Sequence, residues 1–591
     1  MAATFERSIA RGALLWIAAL HIVALVLVFD PRGDDAFDLP KSLASRAMEW
    51  ATVAGLVLVL LEHGWRVVPR TRLHVAVGGL ALVSLVAALF AAQPYVALFG
   101  EQDRYLGLTF LGDMLVLYLS IAIAVRTAGD VAVLLGAIAV AGAVASGYAL
   151  LQLVGADPFT WATDPRSRPF ATIGNPDQLG HLISVLFGVA AGAAIGATGH
   201  GSRAIAVAGA IATLGVAAFV ATRGTLLGIA CALASAVAMR PSRRSILATA
   251  AIALAIAGAL LATPLGQRAV ETARSGTLPD RITLYGIAWR ATLERPFFGY
   301  GPDNFRAAFV EHRTAESLAN LSAAPETSAH DWLLDASTTT GLIGLAALLV
   351  LVTLGSIELV RLARMAPAVG LPLAVGWAAY WANALVDVGS VAVAWFPWVA
   401  VGVAAALRGS RPQTVATRRL PRWLRPAIAI VAVVGMASGT RAFIANEETF
   451  AAAEAMHFGD RDAAVALADR AAARDPGRAD HWNRLGLALE SQRRWADAAV
   501  AYREAAGRER YEPVYWANLA RALARTGAQD DALAAAREAA AVDPNAPIGH
   551  VTLSEIAATF GRCELARGEA SRAAALESGH EELVARAAAC R

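Results

Sequence analysis

The stretch "SAHDWLLDASTTTGLIG", Ser328–Gly344, has the composition of a helix start and then runs into apolar sequence reaching to about residue 360. Ser328 with Asp331 three residues later fits a capping box, in which the serine caps the helix and the acid reaches back to free backbone N–H groups. That register places His330 in the first turn. The apolar run behind it exceeds the roughly 20 residues that cross a bilayer. A histidine and an aspartate therefore stand at the mouth of a membrane helix.

The whole chain agrees with that reading. Its 591 residues are 57% hydrophobic and only 17% charged, with a mean hydropathy of +0.50, far too apolar for an ordinary soluble protein. A net charge of +3 gives no case for nucleic acid as a partner. The fold class expected is all-α, a polytopic transmembrane bundle of about 12 to 13 spans followed by an α-solenoid. Candidate spans lie near 9–29, 47–65, 73–92, 106–125, 131–154, 177–197, 204–221, 224–239, 245–263, 333–360, 368–386, 390–407 and 424–440. The first is not a cleavable signal, since it is long enough to span and no small-residue cleavage site follows it.

Alternate connections carry the arginines: Arg7 and Arg11; Arg66, Arg70 and Arg72; Arg126; Arg203; "RPSRR" at 240–244; Arg361 and Arg364; and "RGSRPQTVATRRLPRWLR" at 408–425. With thirteen spans all fall on one side, which the enrichment of basic residues in short cytoplasmic loops assigns to the cytoplasm. The opposite loops and the C-terminus then face out. The longest outward loop, at about 264–330, ends in the opening stretch, and a loop of that length in a polytopic protein is usually functional.

Beyond the last span the sequence turns rich in Ala, Arg and Asp and repeats itself. Trp482 and Trp516 are 34 residues apart, and Pro476 and Pro544 twice that, which is the tetratricopeptide period. Trp482, Leu485, Gly486, Ala498, Tyr502 and Ala505 keep the register, followed by Trp516, Leu519, Ala532, Ala539 and Pro544. The expected division is 1–443 membrane domain and 444–591 tetratricopeptide domain, with about four helical pairs. Cys563 and Cys590 lie near the end, where a disulfide between them is left open by spacing alone.

Polar residues suited to chemistry collect at the outward boundary. The positive end of a helix disfavours an imidazolium, so His330 is expected to be neutral and able to take up a proton near pH 7. Arg223, in "TRG" at 222–224, is too costly to face lipid and suits a phosphate. In "DRITLYGIAWRATLERPFFGYGPDNF", 280–305, Asp280 is expected to cap a helix ending before Pro296. Arg281 and Arg290 are nine residues apart and so point to opposite sides of a straight helix. Further outward positions are Lys41 in "FDLPK", Arg104 in "GEQDRYLG", Asn175 in "RPFATIGNPDQLGH" and Asp387 in "DVGS". Gly341 and Gly344, eleven and fourteen positions after His330, fall near one helical face and read as packing residues. There is no zinc spacing, Gly-rich nucleotide loop or paired-carboxylate motif, so neither metal nor cofactor is expected. Such a collection suits an anionic, membrane-borne substrate.

Four segments, "TIGNPDQLG", "TRGTLLG", "RITLYGIAWRATLERPFFGYGPDNF" and "AHDWLLDASTTTGLIG", resemble in order and spacing the O-antigen ligase and polymerase superfamily of bacterial envelope glycosyltransferases. The resemblance covers roughly residues 10–440. It implies transfer of a glycan from an undecaprenyl-diphosphate carrier to an acceptor hydroxyl at the outer side of the inner membrane. By the same resemblance His330 matches the essential loop histidine, Arg223 and Arg281 the pyrophosphate-binding arginines, and Lys41, Arg104 and Asp387 secondary positions. Arg290 and Asn175 complete the expected substrate-binding set. Asp331, where an amide or serine usually follows the histidine, and Tyr285, where a tryptophan is common, depart from the pattern.

The mechanism expected from this has fixed arginines stabilising the leaving pyrophosphate and His330 taking the proton of the attacking hydroxyl, an inverting transfer without metal. The acceptor is lipid A core, a growing glycan or a protein, the last making the chain a protein O-oligosaccharyltransferase. A lipid-linked sugar transporter or a non-catalytic scaffold is the competing class. A transporter calls for polar groups at the bilayer midplane, and here they sit at the boundary. Tetratricopeptide grooves bind peptides or partner proteins, which is expected of the repeats.

Overall fold

The computed structural model describes residues 9–220, 222–240, 277–410 and 420–590. Among these residues the regular elements are helices, with one isolated β-bridge between Arg70 and Ser410. Eight helices among the described residues are long and apolar enough to cross a membrane, including Ile9–Leu27, Asp38–His63, Pro176–Gly196 and Trp332–Met365. Shorter apolar helices, including Leu108–Ala124, Arg223–Met239 and Phe396–Arg408, fill the bundle between them. The expected span 245–263, and parts of the 240–244 and 408–425 arginine runs and of the large loop, lie outside the described residues, as does Arg7.

Small residues set the tightest contact. Gly188, Gly192 and Gly196 recur every four residues along Pro176–Gly196 and meet the backbone of Pro367–Asn383 directly. A Cβ at Gly192 would lie 2.4 Å from the Leu371 carbonyl oxygen, and one at Gly196 equally close to that of Pro367. This is the close approach that small-xxx-small spacing permits. Gly228 of Arg223–Met239 is similarly pressed against Ser184, so three helices converge below Arg223.

The arginine-bearing connections meet at one end of the bundle. Arg11 Nη1 pairs with Asp130 at 3.1 Å and donates to the Ala124 carbonyl at 2.8 Å, Arg126 Nη2 reaches the Val67 carbonyl at 3.3 Å, and Arg408 pairs with Glu358 at 3.1 Å. At the other end, Leu424–Ala437 passes into Thr440–His457 with only two residues between. The expected boundary at 443/444 therefore falls inside a helix.

Second helices of the following hairpins begin at Arg461, Trp495, Gln529 and Cys563, each 34 residues after the last, and first helices at Ala479, Pro513 and Pro547 keep the same interval. The hairpins pack alike because equivalent residues bond alike. Trp482 Nε1 donates to the Pro476 carbonyl at 3.0 Å, and Trp516 Nε1 to that of Arg510 at 3.1 Å. His550 takes the same place in the next hairpin, its Nε2 lying 3.0 Å from the Pro544 carbonyl. The Cys563–Cys590 disulfide, with Cα atoms 5.4 Å apart, closes the terminal helix onto the last hairpin.

Two expectations about the opening stretch need correction. Helix Trp332–Met365 is capped by Asp331, whose carboxylate accepts from the amides of Leu333 and Leu334 at 2.8 and 3.0 Å. Ser328 is not the cap; it donates to Asp335 at 2.7 Å and accepts from the His330 amide at 3.0 Å. His330 thus precedes the helix, with φ of 55°, instead of sitting in its first turn. Nor do Gly341 and Gly344 share one continuous face. Gly341 breaks the helix at φ 71°, and a Cβ there would lie 2.2 Å from the Phe297 carbonyl oxygen. The segment after Pro296 enters this gap: Leu342 N donates to the Pro296 carbonyl at 2.7 Å, while the Tyr300 and Gly301 amides bond the carbonyls of Thr338 and Thr339 at 2.9 and 2.8 Å.

Candidate functional site

The His330 turn is held from three sides. Asp335, one turn into the helix, accepts from the Ala329 amide at 2.7 Å as well as from Ser328. Trp332 N donates to the Ala384 carbonyl at 3.1 Å, tying the turn to the loop before Asp387. Arg281 Nη1 approaches the His330 carbonyl at 3.4 Å. The left-handed conformation of a histidine costs energy and persists where surrounding contacts impose it, as they do here. The imidazole remains about one-third exposed, with Nε2 3.7 Å from Glu326. Burial raises the Asp331 carboxyl above its usual range, against the two amides that favour its charge.

Arg223 opens helix Arg223–Met239 behind the cap Thr222, whose hydroxyl accepts from the Thr225 amide at 3.1 Å. Arg281 lies in the first turns of Thr277–Glu294, which begins before Asp280, so Asp280 is a first-turn acid and not the cap. Arg223 lies in the electrostatic field of Arg281, with Asp177 and Asp280 nearby. Two guanidinium groups thus lie within electrostatic range of each other beside the histidine turn.

Arg104 is turned elsewhere. It is 6% exposed, donates to the Thr327 carbonyl, and lies 3.5 Å from Asp303 and 3.6 Å from Asp335. Burial works against its charge, and Asp303, Asp335 and Glu101 together hold its pKa above the ordinary value. Its position is that of a brace for the backbone leading into His330. Asp303 accepts from the amides of Glu101 and Leu106 at 2.8 and 3.0 Å, and burial pushes its carboxyl up to about 6.

Lys41 lies inside helix Asp38–His63, not in the loop before it, and is fully buried. Its ammonium donates to the carbonyls of Thr172 and Phe37 at 2.6 and 3.1 Å, so it anchors the 172–175 loop. Asn175 caps Pro176–Gly196, accepting from the amides of Asp177 and Gln178 at 2.8 and 3.4 Å. Arg290 is not brought to the others: on an unbroken helix it points to the exposed side, where Nη2 donates to the His312 carbonyl at 3.0 Å.

Asp387 meets a residue that sequence reading passed over. His181 Nδ1 lies 3.1 Å from Asp387 Oδ2, and its Nε2 lies 3.1 Å from the Tyr380 carbonyl, both side chains being buried. A carbonyl only accepts, so a proton on Nε2 would serve Tyr380 and one on Nδ1 would serve Asp387, the tautomer setting which contact is the hydrogen bond. The available signal was a lone histidine six positions after the helix-capping Asn175.

A cavity of about 290 Å³ opens beside this pair. Arg104, Asp303, Asp335, His181 and Asp387 form its polar part, Trp332, Tyr380, Trp381 and Trp398 its aromatic wall, and Leu80, Leu111, Met114 and Leu348 its apolar end. The indole Nε1 atoms of Trp332 and Trp381 are buried without a hydrogen-bond partner among the described residues. Among those residues no group of three or more His, Cys, Asp or Glu side chains is arranged to hold a metal ion.

The repeats reach into the same loop. Arg313 Nη1 donates to Asp543 and to the Ala323 carbonyl, both at 3.0 Å, Nη2 donates to the Asn545 carbonyl at 3.1 Å, and Asn545 Nδ2 returns a bond to the Arg313 carbonyl at 2.8 Å. Arg306 lies 3.2 Å from Glu101, 3.4 Å from Glu509 and in contact with Glu512. The segment that delivers His330 is thus pinned to the hairpins.

Residues 186–349 match a family model described as O-Antigen ligase, a span that includes Arg223, Arg281 and His330. No curated protein matches the chain. Among solved structures, the chain is similar to YrrB, a TPR protein with an unusual peptide-binding site, at 16% identity over 25% of this chain and 75% of that one, with a TM-score of 0.22. It is also similar to a thermophilic TPR protein of Thermus thermophilus, at 17% identity over 28% and 91% of the two chains, with a TM-score of 0.23.

Proposed function

From a membrane chain that carries an O-antigen ligase segment, we propose a glycosyltransferase that moves a glycan from an undecaprenyl-diphosphate carrier to an acceptor hydroxyl. The observation that carries this reading is Arg281, which reaches the His330 carbonyl while sharing its field with Arg223. The two arginines hold the diphosphate of the donor, and His330 faces the acceptor hydroxyl. As the hydroxyl oxygen attacks the anomeric carbon, the imidazole takes its proton. The bond from that carbon to the diphosphate breaks, and the electron pair leaves with the phosphate oxygen, where the arginines stabilise it. Attack opposite the leaving group inverts the anomeric centre. No step draws on a metal.

The cavity beside His181 and Asp387 supports a sugar-containing amphiphile. Carboxylates bond hydroxyls, flat aromatic faces take the apolar side of a sugar ring, and the far end is hydrocarbon. Arg104, Lys41 and Asn175 act by holding the loops around it.

The reaction takes place on the outer face of the inner membrane, where the repeats lie too. Arginines gathered at the opposite end of the bundle favour that orientation, and a disulfide in the last hairpin suits an oxidising compartment. The membrane part extends to about residue 443 and the repeats from there on. Their hairpins offer a surface for a peptide or protein, so a protein acceptor, or a partner in polysaccharide assembly, is the second reading.

The test uses cells lacking the protein, complemented with wild type or His330→Ala. Wild type alone should clear undecaprenyl-diphosphate-linked glycan, and the reducing end of the mature product identifies the acceptor. Equal complementation by His330→Ala would sink the catalytic reading and leave transport or scaffolding.

A further inference from the structure

Helix Thr277–Glu294 is apolar on two opposite sides. On one side Leu284, Ile287 and Ala288 are buried and pack with Phe305 and Phe309 of the next helix. On the other, Ile282, Trp289 and Leu293, seven and then four residues apart, fall within about 20° of one line. These three, and Phe297 just after the helix, are 50% to 67% exposed. A helix surrounded by water needs one apolar face for packing and keeps the other polar. Here the polar residues sit on the flanks instead, Thr283, Arg290 and Glu294 along one and Arg281 along the other.

Two spans fix the depth of this second stripe. Leu342 N donates to the Pro296 carbonyl at 2.7 Å. From Leu342 the helix runs to Arg361, which shares Glu358 with Arg408 at the arginine-bearing end. That is about 20 residues, or roughly 30 Å, the thickness of the hydrocarbon layer. Likewise Arg72–Leu89 starts beside the Arg70–Ser410 bridge at the arginine-bearing end, and its 18 residues bring Leu89 to the opposite edge. Phe90, the residue after it, stacks on Phe298 with ring centroids 5.2 Å apart. Residues 296–298 therefore stand at the edge of the hydrocarbon opposite the arginines. Leu82, Leu85 and Leu89 form an exposed stripe on their span, where lipid lies, and that surface passes through Phe90 to Phe297 and the helix before it.

We propose that helix Thr277–Glu294 lies along the membrane surface, with Ile282, Trp289, Leu293 and Phe297 inserted among the headgroups and upper acyl carbons of that leaflet. An amphipathic helix in this position buries its apolar face about 5–10 Å into the boundary, where a tryptophan ring is favoured because its N–H stays near water. Arg290 and Glu294 remain on the wet flank. Arg281, on the other flank, is held at the depth where the diphosphate of a membrane-borne donor travels. That consequence rests on the transfer proposed above; the lipid contact does not.

The experiment uses the full chain with Cys231→Ser, the Cys563–Cys590 disulfide intact, and one introduced cysteine carrying a nitroxide, in vesicles of phosphatidylethanolamine and phosphatidylglycerol. Electron paramagnetic resonance compares collisions with oxygen, which concentrates in lipid, and with a nickel chelate, which stays in water. Leu82→Cys and Val500→Cys, exposed apolar positions on a span and on the repeats, set the lipid and water limits. Trp289→Cys and Leu293→Cys should lose contact with the chelate as Leu82→Cys does, while Arg290→Cys should follow Val500→Cys. Adding Leu293→Glu to Trp289→Cys should restore chelate contact. Chelate reaching positions 289 and 293 as freely as 500, or labels there closed to both probes as beneath a second copy or another protein, would overturn the proposal. The labels report position whether or not a glycan is transferred, so loss of the transferase reading leaves a positive result standing.

Discussion

Arg313 and Asp543 stand 230 residues apart in the chain, yet their side chains form an ion pair at 3.0 Å from which solvent is wholly excluded. The same guanidinium holds the Ala323 carbonyl, seven residues before His330. The repeats are thereby part of what positions the candidate base, because the pair has no water to fall back on if one partner is lost.

Asp543→Ala should leave Arg313 buried and unpaired, a change of about 3–5 kcal/mol. The expected result is faster proteolysis within 313–330 and a fall in transfer, with donor binding less affected. Asp543→Asn, which keeps one acceptor, should recover part of both. Limited proteolysis beside a transfer assay decides it.

His330→Ala should lower transfer by about 10²–10⁴, the usual contribution of a general base, while lipid-linked donor still binds. Arg281→Ala and Arg223→Ala should instead weaken the donor as well as the rate. Donor binding to the purified variants separates the two roles, and equal loss of binding in all three would contradict the assignment.

Gly341→Ala puts a Cβ where the Phe297 carbonyl stands, at a φ of 71° that side-chain-bearing residues rarely adopt. The variant should release the segment after Pro296 from the helix break. Hydrogen exchange at Tyr300 and Gly301, whose amides bond Thr338 and Thr339, should rise. Unchanged protection there would show that the break does not depend on glycine.

Burial raises the Asp303 carboxyl from 3.8 to about 6, against the pull of Arg104. Its folded pKa lies above the unfolded one, so folding takes up a proton between these values. The stabilisation from this group is therefore complete below the unfolded pKa and is lost as pH rises through about 6. Thermal unfolding of wild type and Asp303→Asn from pH 5 to 7 should show the wild type losing ground to the variant as pH rises. A constant difference across that window would contradict the shift.

Reduction of Cys563–Cys590 should loosen the last hairpin. A loop closed over 27 residues is worth about 3–4 kcal/mol on the chain-entropy model. Cys590→Ser should lower the unfolding temperature of the repeats and leave transfer intact.

Much of the architecture was legible because it depends on local pattern. Apolar runs near the thickness of a bilayer marked helices that the structure contains, and the 34-residue interval of Trp482 and Trp516 reappears in the starts of the second helices of four successive hairpins. The cluster of His330, Arg281 and Arg223 was legible only as three boundary residues. Arg281 points to His330 and Arg290 away from it for a reason available beforehand, the half-turn that nine residues make around a straight helix.

By itself, then, the sequence determined the helices, the repeat period and the polar face on which the site lies, since periodicity and hydropathy act over a few turns of chain. Only the tertiary structure decided what each polar side chain spends its hydrogen bonds on. Arg104 and Lys41 look like free cations in sequence, but burial obliges each to satisfy its donors on distant carbonyls or acids, at Thr327 and Asp303 for one and Thr172 for the other. The Gly341 break, the His181–Asp387 pair and the Arg313–Asp543 clamp belong to the same class. Each depends on which remote backbone or acid packing brings within reach, and no local pattern encodes that.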